Sequence, residues 1–174
     1  MIFTTGHSTR PADVFVGMLR AHGVEALVDV RTIPKSRHNP QYNSDALART
    51  LAANGIAYTH APELGGLRKP RRDSINLGWR NESFRGYADY MQTPEFDAAI
   101  DALVARSEQR RTAIMCAEAV PWRCHRSLVA DALLARGIEA DEIVSETKVT
   151  PHKLTPFAQV DGARVTYPAT GSLL

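Results

Sequence analysis

The chain has 174 residues, of which 44% are hydrophobic and 23% are charged, and it carries two cysteines and a formal net charge of +2. These values predict one globular domain and exclude a disordered or fibrous chain. No apolar run approaches the roughly 18 residues of a membrane-spanning helix, and the first residues lack the pattern of a secretory signal. We therefore expect a cytoplasmic protein, with no membrane partner, whose cysteines are free thiols.

The first part of the chain alternates between short apolar segments and one amphipathic segment. Residues 2–5 predict a strand. Residues 11–22 place their apolar side chains on one helical face, and Gly23 stands where a helix would end. Residues 26–30 are apolar nearly throughout, which is typical of a strand that is covered on both faces of a sheet.

The middle of the chain predicts two further helices with a strand between them. Ser44 is a candidate N-cap for a helix that ends at Gly55, and residues 56–60 have a strand-like composition. Thr93 followed by Pro94 predicts a helix start, because a capping hydroxyl precedes a proline at the first helical position.

The alternation continues with a buried strand at residues 112–116, a helix from about residue 125 to Gly137, and a strand at residues 142–144. This order predicts parallel strands that are joined by right-handed crossovers, with helices on both faces. We expect an α/β fold, a single three-layer doubly wound domain with a mainly parallel sheet of about five strands. The chain is too short for a barrel of about eight such units.

Two segments fall outside this alternation. Residues 61–83 are polar, rich in glycine and arginine and without a period, so they predict a long functional loop, either a lid or a mobile segment. Asp161 and Gly162 lie between short β-like runs and predict a small C-terminal β-hairpin. We therefore expect an α/β domain over residues 1–150 and an extension over residues 151–174 that packs on the same domain.

Polar groups follow four of the predicted strands, at the end where open α/β sheets bind ligands. In chain order they are His7, Ser8, Arg31, Arg37, Gly65, Gly66, Arg68, Cys116, Glu118, Cys124, His125 and Arg126. Because parallel strands bring their carboxyl ends to one edge of the sheet, we expect these residues to form a single site.

Four of these residues are candidate catalytic groups. A thiol that faces a helix N-terminus and nearby cations has a lowered pKa, which would favour a reactive thiolate at Cys116. Glu118 is a candidate general acid or base, and His125 and His7 would assist proton transfer. The structural alternatives are that Cys116 is a small core residue and that His7 is a hydrogen-bonded turn residue.

The other residues of the set are candidates for binding an anionic substrate. They are Ser8, Arg31, Arg37, Gly65, Gly66, Arg68, Cys124 and Arg126. Guanidinium groups and the N–H groups at a helix start bind phosphate or carboxylate. The structural alternatives are that Arg31 only pairs with Asp29 and that the basic residues 68–72 form a solvated surface.

Several familiar motifs are absent. Gly6, His7 and Ser8 lack the spacing of a dinucleotide fingerprint, and no phosphate-loop lysine motif occurs. Cys116 followed by Arg123 faintly echoes the thiol-then-arginine loop of phosphatases and rhodaneses, but the glycines of those loops are missing. The sequence therefore identifies no cofactor, leaves a mixed Cys/His metal site open, and does not indicate an oligomeric state.

Five blocks of sequence occur in a specific order. They are Thr5 to Ser8, Val28 to Arg31 with Pro34, Ser36 and Arg37, Leu64 to Gly66 with Arg68, Tyr87 to Met91, and Cys116 to Glu118 followed by Cys124 to Ser127. With these blocks the chain resembles, over most of residues 2–145, the bacterial and archaeal family called domain of unknown function 488. The resemblance implies a common site built from the blocks, and it implies no reaction.

Three functions are compatible with these observations. The first is an enzyme that acts on a phosphate-bearing substrate, either a nucleotide or a nucleic-acid component. The second is a nucleic-acid-binding module without catalysis, in which the basic residues 68–72 would bind backbone phosphates. The third is a metal-dependent protein that uses Cys116, Cys124 and either His7 or His125 as ligands.

Overall fold

The computed structural model describes residues 1–169, which fold around a mainly parallel six-stranded sheet. The strands of this sheet are β1 Ile2–Gly6, β2 Ala26–Asp29, β3 Ala57–His60, β4 Thr112–Cys116, β5 Ala140–Ile143 and β6 Val149–Pro151. Their spatial order is β3-β2-β4-β1-β5-β6, and only β6 runs antiparallel to its neighbour among these described strands. The predicted α/β fold is confirmed, and β6 is an additional strand.

Helices cover both faces of this sheet. They are α1 Ala12–Ala21, α2 Ser44–Ala53, α3 Glu82–Tyr90, α4 Pro94–Gln109 and α5 Arg126–Ala135. The first two helices share one apolar core, and the other three share a second core on the opposite face. Side chains alternate along β4, so Met115 enters the first core while Ile114 and Cys116 enter the second. None of the helices within residues 1–169 is long and apolar enough to cross a membrane.

The predicted C-terminal hairpin is also confirmed. Its strands are β7 Gln159–Asp161 and β8 Arg164–Thr166, and they pair in antiparallel register around Gly162. Tyr167 follows the hairpin and is buried in the core of α5, where its hydroxyl donates a 2.7 Å hydrogen bond to Asp131. The last part of the expected extension, residues 170–174, lies outside the described residues.

One predicted helix start is confirmed and another is wrong. Thr93 caps α4, because its hydroxyl accepts a 3.3 Å hydrogen bond from the backbone N–H of Phe96. The prediction that Ser44 caps α2 is wrong, since Ser44 is the first helical residue and Asn43 holds the cap position. The Asn43 side chain instead accepts a 2.8 Å hydrogen bond from the N–H of Ser36, which fixes the loop after β2.

The segment at residues 61–81 is an irregular but anchored part of the fold. The buried carboxylate of Asp89 on α3 accepts hydrogen bonds from the N–H of Arg71 at 2.8 Å, the hydroxyl of Ser74 at 2.6 Å and the amide of Asn76 at 2.8 Å. Asn76 also accepts a 2.9 Å hydrogen bond from the N–H of Tyr167. A single carboxylate therefore joins this segment to α3 and, through Asn76, to the chain after the hairpin.

Replacing Asp89 with alanine should lower the free energy of unfolding by about 2–4 kcal/mol, because three donors around it would lose their acceptor. Chemical denaturation of the purified protein measures this change. Asp101→Ala on α4 is the control, because Asp101 is exposed. A loss for Asp89→Ala no larger than that of the control would contradict the anchoring role.

Candidate functional site

The carboxyl ends of β1, β2 and β4 bring several of the sequence-predicted residues to one edge of the sheet. His7 donates its backbone N–H to the carbonyl of Cys116 at 3.0 Å, which joins the ends of β1 and β4. The His7 Nε2 atom lies 3.4 Å from Arg31 Nη1, at the end of β2. His125, just before α5, has its Nε2 atom 3.0 Å from the carbonyl oxygen of Val30. Four separate chain segments therefore meet here.

An open cavity of about 360 Å³ lies at this edge. Its lining residues include six from the sequence-predicted set, which are Arg31, Gly66, Cys116, Glu118, Cys124 and His125. The lining also contains Leu67, Phe84 and Arg123, which sequence reasoning did not place in the site. Cavities of this size accommodate small molecules.

Two thiols in direct contact line this cavity. The Sγ atoms of Cys116 and Cys124 are 2.6 Å apart, and both cysteines are free. Cys116 ends β4 and is 2% exposed, whereas Cys124 precedes α5 and is 6% exposed. The backbone N–H of Arg126, in the first turn of α5, points to the Cys124 sulfur at 3.5 Å. The sequence indicated each cysteine as a site residue but not their contact.

A fully buried guanidinium lies against this thiol pair. Arg126 Nη1 donates to Cys116 Sγ at 2.7 Å and to the carbonyl of Glu118. Its Nη2 donates to the carbonyl of Ala119 at 3.0 Å and to Glu142 Oε1 at 2.7 Å. Burial alone would lower the pKa of Arg126, but the neighbouring thiol pair and the charge of Glu142 raise it, so this group stays cationic. Its donors are directed to protein atoms rather than to the cavity.

The two thiols divide their protons unequally. A hydrogen bond with the Cys116 thiol lowers the pKa of Cys124 well below its usual value, and His125 and Arg126 lower it further against the opposing effect of burial. Burial, together with the neighbouring Cys124 charge, raises the pKa of Cys116 well above its usual value. The opposite directions of the two shifts make Cys124 the member of the pair that ionises more readily.

His125 is oriented to exchange a proton with Cys124. Its Nε2 lies 3.0 Å from the carbonyl of Val30, so that nitrogen carries a proton and donates it to the carbonyl. Its Nδ1 faces Cys124 Sγ at 3.6 Å, so a proton can pass between this nitrogen and the sulfur. The ring also packs on Tyr87, with centroids 4.9 Å apart, and a Cβ at Gly66 would lie only 2.7 Å from Nδ1. Glycine at position 66 therefore leaves room for this ring.

Arg31 forms an ion pair with Asp29, which was the structural alternative to a role in substrate binding. Its guanidinium binds both carboxylate oxygens of the fully buried Asp29, at 2.9 and 2.7 Å, and donates to the carbonyl of Tyr42 at 2.7 Å. The hydroxyl of Tyr58 donates to the same carboxylate at 2.6 Å. This network neutralises the charge of Arg31 even though the residue lines the cavity.

His7 lies beside this network rather than in the cavity lining. Burial, with a smaller effect from the charge of Arg31, lowers its pKa to about 4, although a hydrogen bond with the Ser8 carbonyl acts in the opposite direction. The ring stacks on Tyr42 with centroids 4.0 Å apart, and its Nδ1 lies 2.7 Å from the carbonyl of Ser8. His7 is therefore neutral at pH 7 and positions the side chain of Arg31.

The remaining predicted residues are outside the cavity lining. Arg37 is exposed on the loop after β2. Arg68 lies over the ring of Tyr90 at 3.7 Å and donates to the carbonyl of Gly65 at 3.2 Å, so it holds the turn before Gly66 in place. Ser8 adopts a positive φ of 52° in the turn after β1, and its backbone N–H donates to Ala117.

The geometry does not provide a metal site in the described part of the chain. Within residues 1–169, no group of three or more histidine, cysteine, aspartate or glutamate side chains is arranged to hold a metal ion.

Comparison with known proteins gives one match. The model of a family described as a domain of unknown function, DUF488, matches residues 11–133. This range contains the thiol pair, Arg126 and the cavity lining. Neither the curated proteins nor the solved structures include a match.

Alkylation should detect the lowered pKa of Cys124. We expect Cys124 to react with iodoacetamide at pH 6–7 about tenfold faster than free cysteine, because more of it is thiolate, and the rate should fall only as the pH drops through its lowered pKa. Peptide mass spectrometry measures the modified fraction against pH.

Cys116→Ala tests the cause of this shift, because it removes the hydrogen bond that is the largest contribution to it. The midpoint of the Cys124 alkylation profile should then move to higher pH. An unshifted profile in this variant, or a Cys124 profile equal to that of free cysteine in the unaltered protein, would contradict the assignment.

Proposed function

The chain belongs to the family described as domain of unknown function DUF488, and because that description names no reaction, we propose its function from the site. The protein is a thiol-dependent enzyme in which the Cys124 thiolate is the nucleophile and His125 exchanges its proton. The substrate is a small anionic molecule that binds in the cavity beside Arg123. The observation that supports this most is a pair of contacting thiols next to a buried guanidinium.

An inert role for the cysteines does not explain their surroundings. A structural cysteine behaves as a small hydrophobic residue and needs no charged neighbour. Burying an arginine has a large desolvation penalty, and well-packed apolar side chains would fill the same volume at least as favourably. Arg126 nevertheless lies with Nη1 2.7 Å from Cys116. A positive charge that contacts one sulfur of the pair stabilises a thiolate within the pair, and the thiolate is the reactive form of cysteine.

The roles of the two thiols follow from their positions. Cys124 is the more exposed of the pair, lies at the start of α5 and has the lowered pKa. These are the features of an activated nucleophile, and His125 Nδ1 is the acceptor for its proton. Cys116 supplies the hydrogen bond that stabilises the thiolate. Glu118 lines the same cavity and is exposed, so it is the candidate acid or base at the substrate.

Arg123 is the reason for proposing an anionic substrate. Arg31 is paired with Asp29, and Arg126 contacts Glu142 and the Cys116 sulfur, so both guanidinium groups are engaged within the protein. Arg123 is exposed and lines the cavity, on the turn that leads to Cys124. A phosphate group would meet this cation, and a phosphate-bearing nucleotide or nucleic-acid component of small size is compatible with the cavity volume of about 360 Å³.

Non-catalytic binding of nucleic acid has less support from the contacts. Two of the basic residues at 68–72 interact within the protein, since Arg68 covers Tyr90 and Arg71 pairs with Asp73 at 3.0 Å. Such a module would also have no use for a buried thiolate. Binding through the exposed Lys69 and Arg72 stays a prediction.

Protection from alkylation tests the substrate class. Inorganic phosphate and adenosine monophosphate should slow the reaction of Cys124 with iodoacetamide. Arg123→Ala should raise the half-protecting concentration about tenfold or more, because it removes a charged hydrogen-bond donor. Arg110→Ala is the matched control, since Arg110 is exposed next to the amino end of β4.

Absence of protection by both probes would reject a phosphate-bearing substrate. The role of Cys124 as nucleophile is tested separately. Any turnover detected with a phosphate-bearing compound should fall by about a thousandfold or more in Cys124→Ser. Turnover that survives this substitution would reject Cys124 as the nucleophile.

A further inference from the structure

We infer that the Cys116–Cys124 pair is also a redox centre that reduces small hydroperoxides and is itself oxidised to an intramolecular disulfide. The inference rests on the proposed function only for the presence of a reactive Cys124 thiolate. It adds a second activity and gives Cys116 a covalent role.

The geometry of the thiol pair is close to that of its oxidised form. The Sγ atoms are 2.6 Å apart, and a disulfide bond requires about 2.0 Å. An approach of the two sulfur atoms by about half an ångström is therefore sufficient to form the bond. The loop contains one short 3₁₀ turn, Pro121–Arg123, and no strand.

The reaction needs one thiol that the oxidant can reach and a second thiol beside it, and the two cysteines differ in this way. Cys124 is the attacking thiol because it lines the open cavity and is the more exposed of the two. Cys116 is the resolving thiol because its sulfur already contacts Cys124 while only 2% of the residue is exposed. The cavity therefore gives a small oxidant access to the first sulfur with the second sulfur next to it.

The reaction has two steps, oxidation of Cys124 and formation of the disulfide. The Cys124 thiolate attacks the terminal oxygen of a hydroperoxide ROOH, the O–O bond breaks, and after uptake of one proton the products are Cys124 sulfenic acid and ROH. The Cys116 thiol then attacks the Cys124 sulfur, the S–O bond breaks, and one water leaves with the Cys116 proton. Two electrons pass from the cysteines to the peroxide, and an external thiol reductant, oxidised in turn to its disulfide, restores the pair.

The buried guanidinium favours a strong oxidant as the partner. Oxidation removes the thiolate charge from the pair whose Cys116 sulfur contacts Arg126, and it leaves Glu142 as the charged group that still contacts this guanidinium. The reduced pair is therefore stabilised relative to the disulfide, as in dithiols of high reduction potential. Such a disulfide forms with hydroperoxides and is readily reduced again by thiols, which suits a centre that turns over.

Treatment with one equivalent of hydrogen peroxide tests the inference on the full chain. We expect both free thiols to disappear and the intact mass to fall by two hydrogen atoms, about tenfold faster than free cysteine is oxidised. Peptide mass spectrometry without reduction should show the peptide of Cys116 linked to that of Cys124, and reduced glutathione should restore both thiols. This measurement needs no substitution and so does not depend on the folding of a variant.

Two variants separate the roles of the thiols. In Cys116→Ser, the sulfenic acid at Cys124 should accumulate and be trapped by dimedone, whereas in Cys124→Ser, oxidation of Cys116 should be at least about tenfold slower. Persistence of both thiols after peroxide treatment, or oxidation of Cys124 to sulfinic acid without a disulfide, would overturn the inference. If Cys124 is still alkylated rapidly at pH 6–7 in that case, the proposed function stands and the redox activity alone fails.

Discussion

The buried ion pair between Arg126 and Glu142 is the constraint on which the site depends. Glu142 belongs to β5 and also accepts a hydrogen bond from the hydroxyl of Thr4 on β1, so the pair joins α5 to two neighbouring strands. The same guanidinium binds the carbonyls of Glu118 and Ala119, which fixes the loop that follows β4. Removing either charge would leave the other buried without compensation. One interaction therefore sets both the position of the loop and the charge next to Cys116.

Close packing between β1 and β4 adds a second constraint at the same place. Gly6 lies so near the carbonyl of Glu118 that a Cβ at this position would overlap it. The backbone N–H groups of His7 and Ser8 then donate to Cys116 and Ala117. The loop after β4 is thus held from one side by the end of β1 and from the other by Arg126. This arrangement keeps the Cys116 sulfur in contact with Cys124 while leaving the cavity open.

The sequence predicted most of the fold and the location of the candidate site for local reasons. Apolar segments, a helix start at Thr93 and an Asp-Gly turn are visible over a few residues, and parallel strand ends bring His7, Arg31 and Cys116 together. Helix α3 was missed because its short apolar face is interrupted by Gly86 and by the buried polar side chain of Asp89.

The contacts between side chains within the site could not be predicted from short stretches of sequence. Arg126 and Glu142 meet only because β5 lies next to β1, and the two cysteines meet only because the loop folds back from β4 to α5. For this reason the sequence suggested that Arg126 binds a substrate, whereas the structure directs its donors to the protein. Arg123 was not predicted as a site residue, because its place in the cavity lining depends on how this loop folds.

The central claim is that the thiol pair carries one negative charge at neutral pH. Ultraviolet absorbance of the thiolate, followed while the reduced protein is titrated with acid, measures that charge directly. We expect one thiolate per chain to persist at about pH 6, since Arg126, His125 and the start of α5 stabilise it. Absorbance showing both cysteines protonated at every pH below about 8, as for unperturbed thiols, would contradict the account.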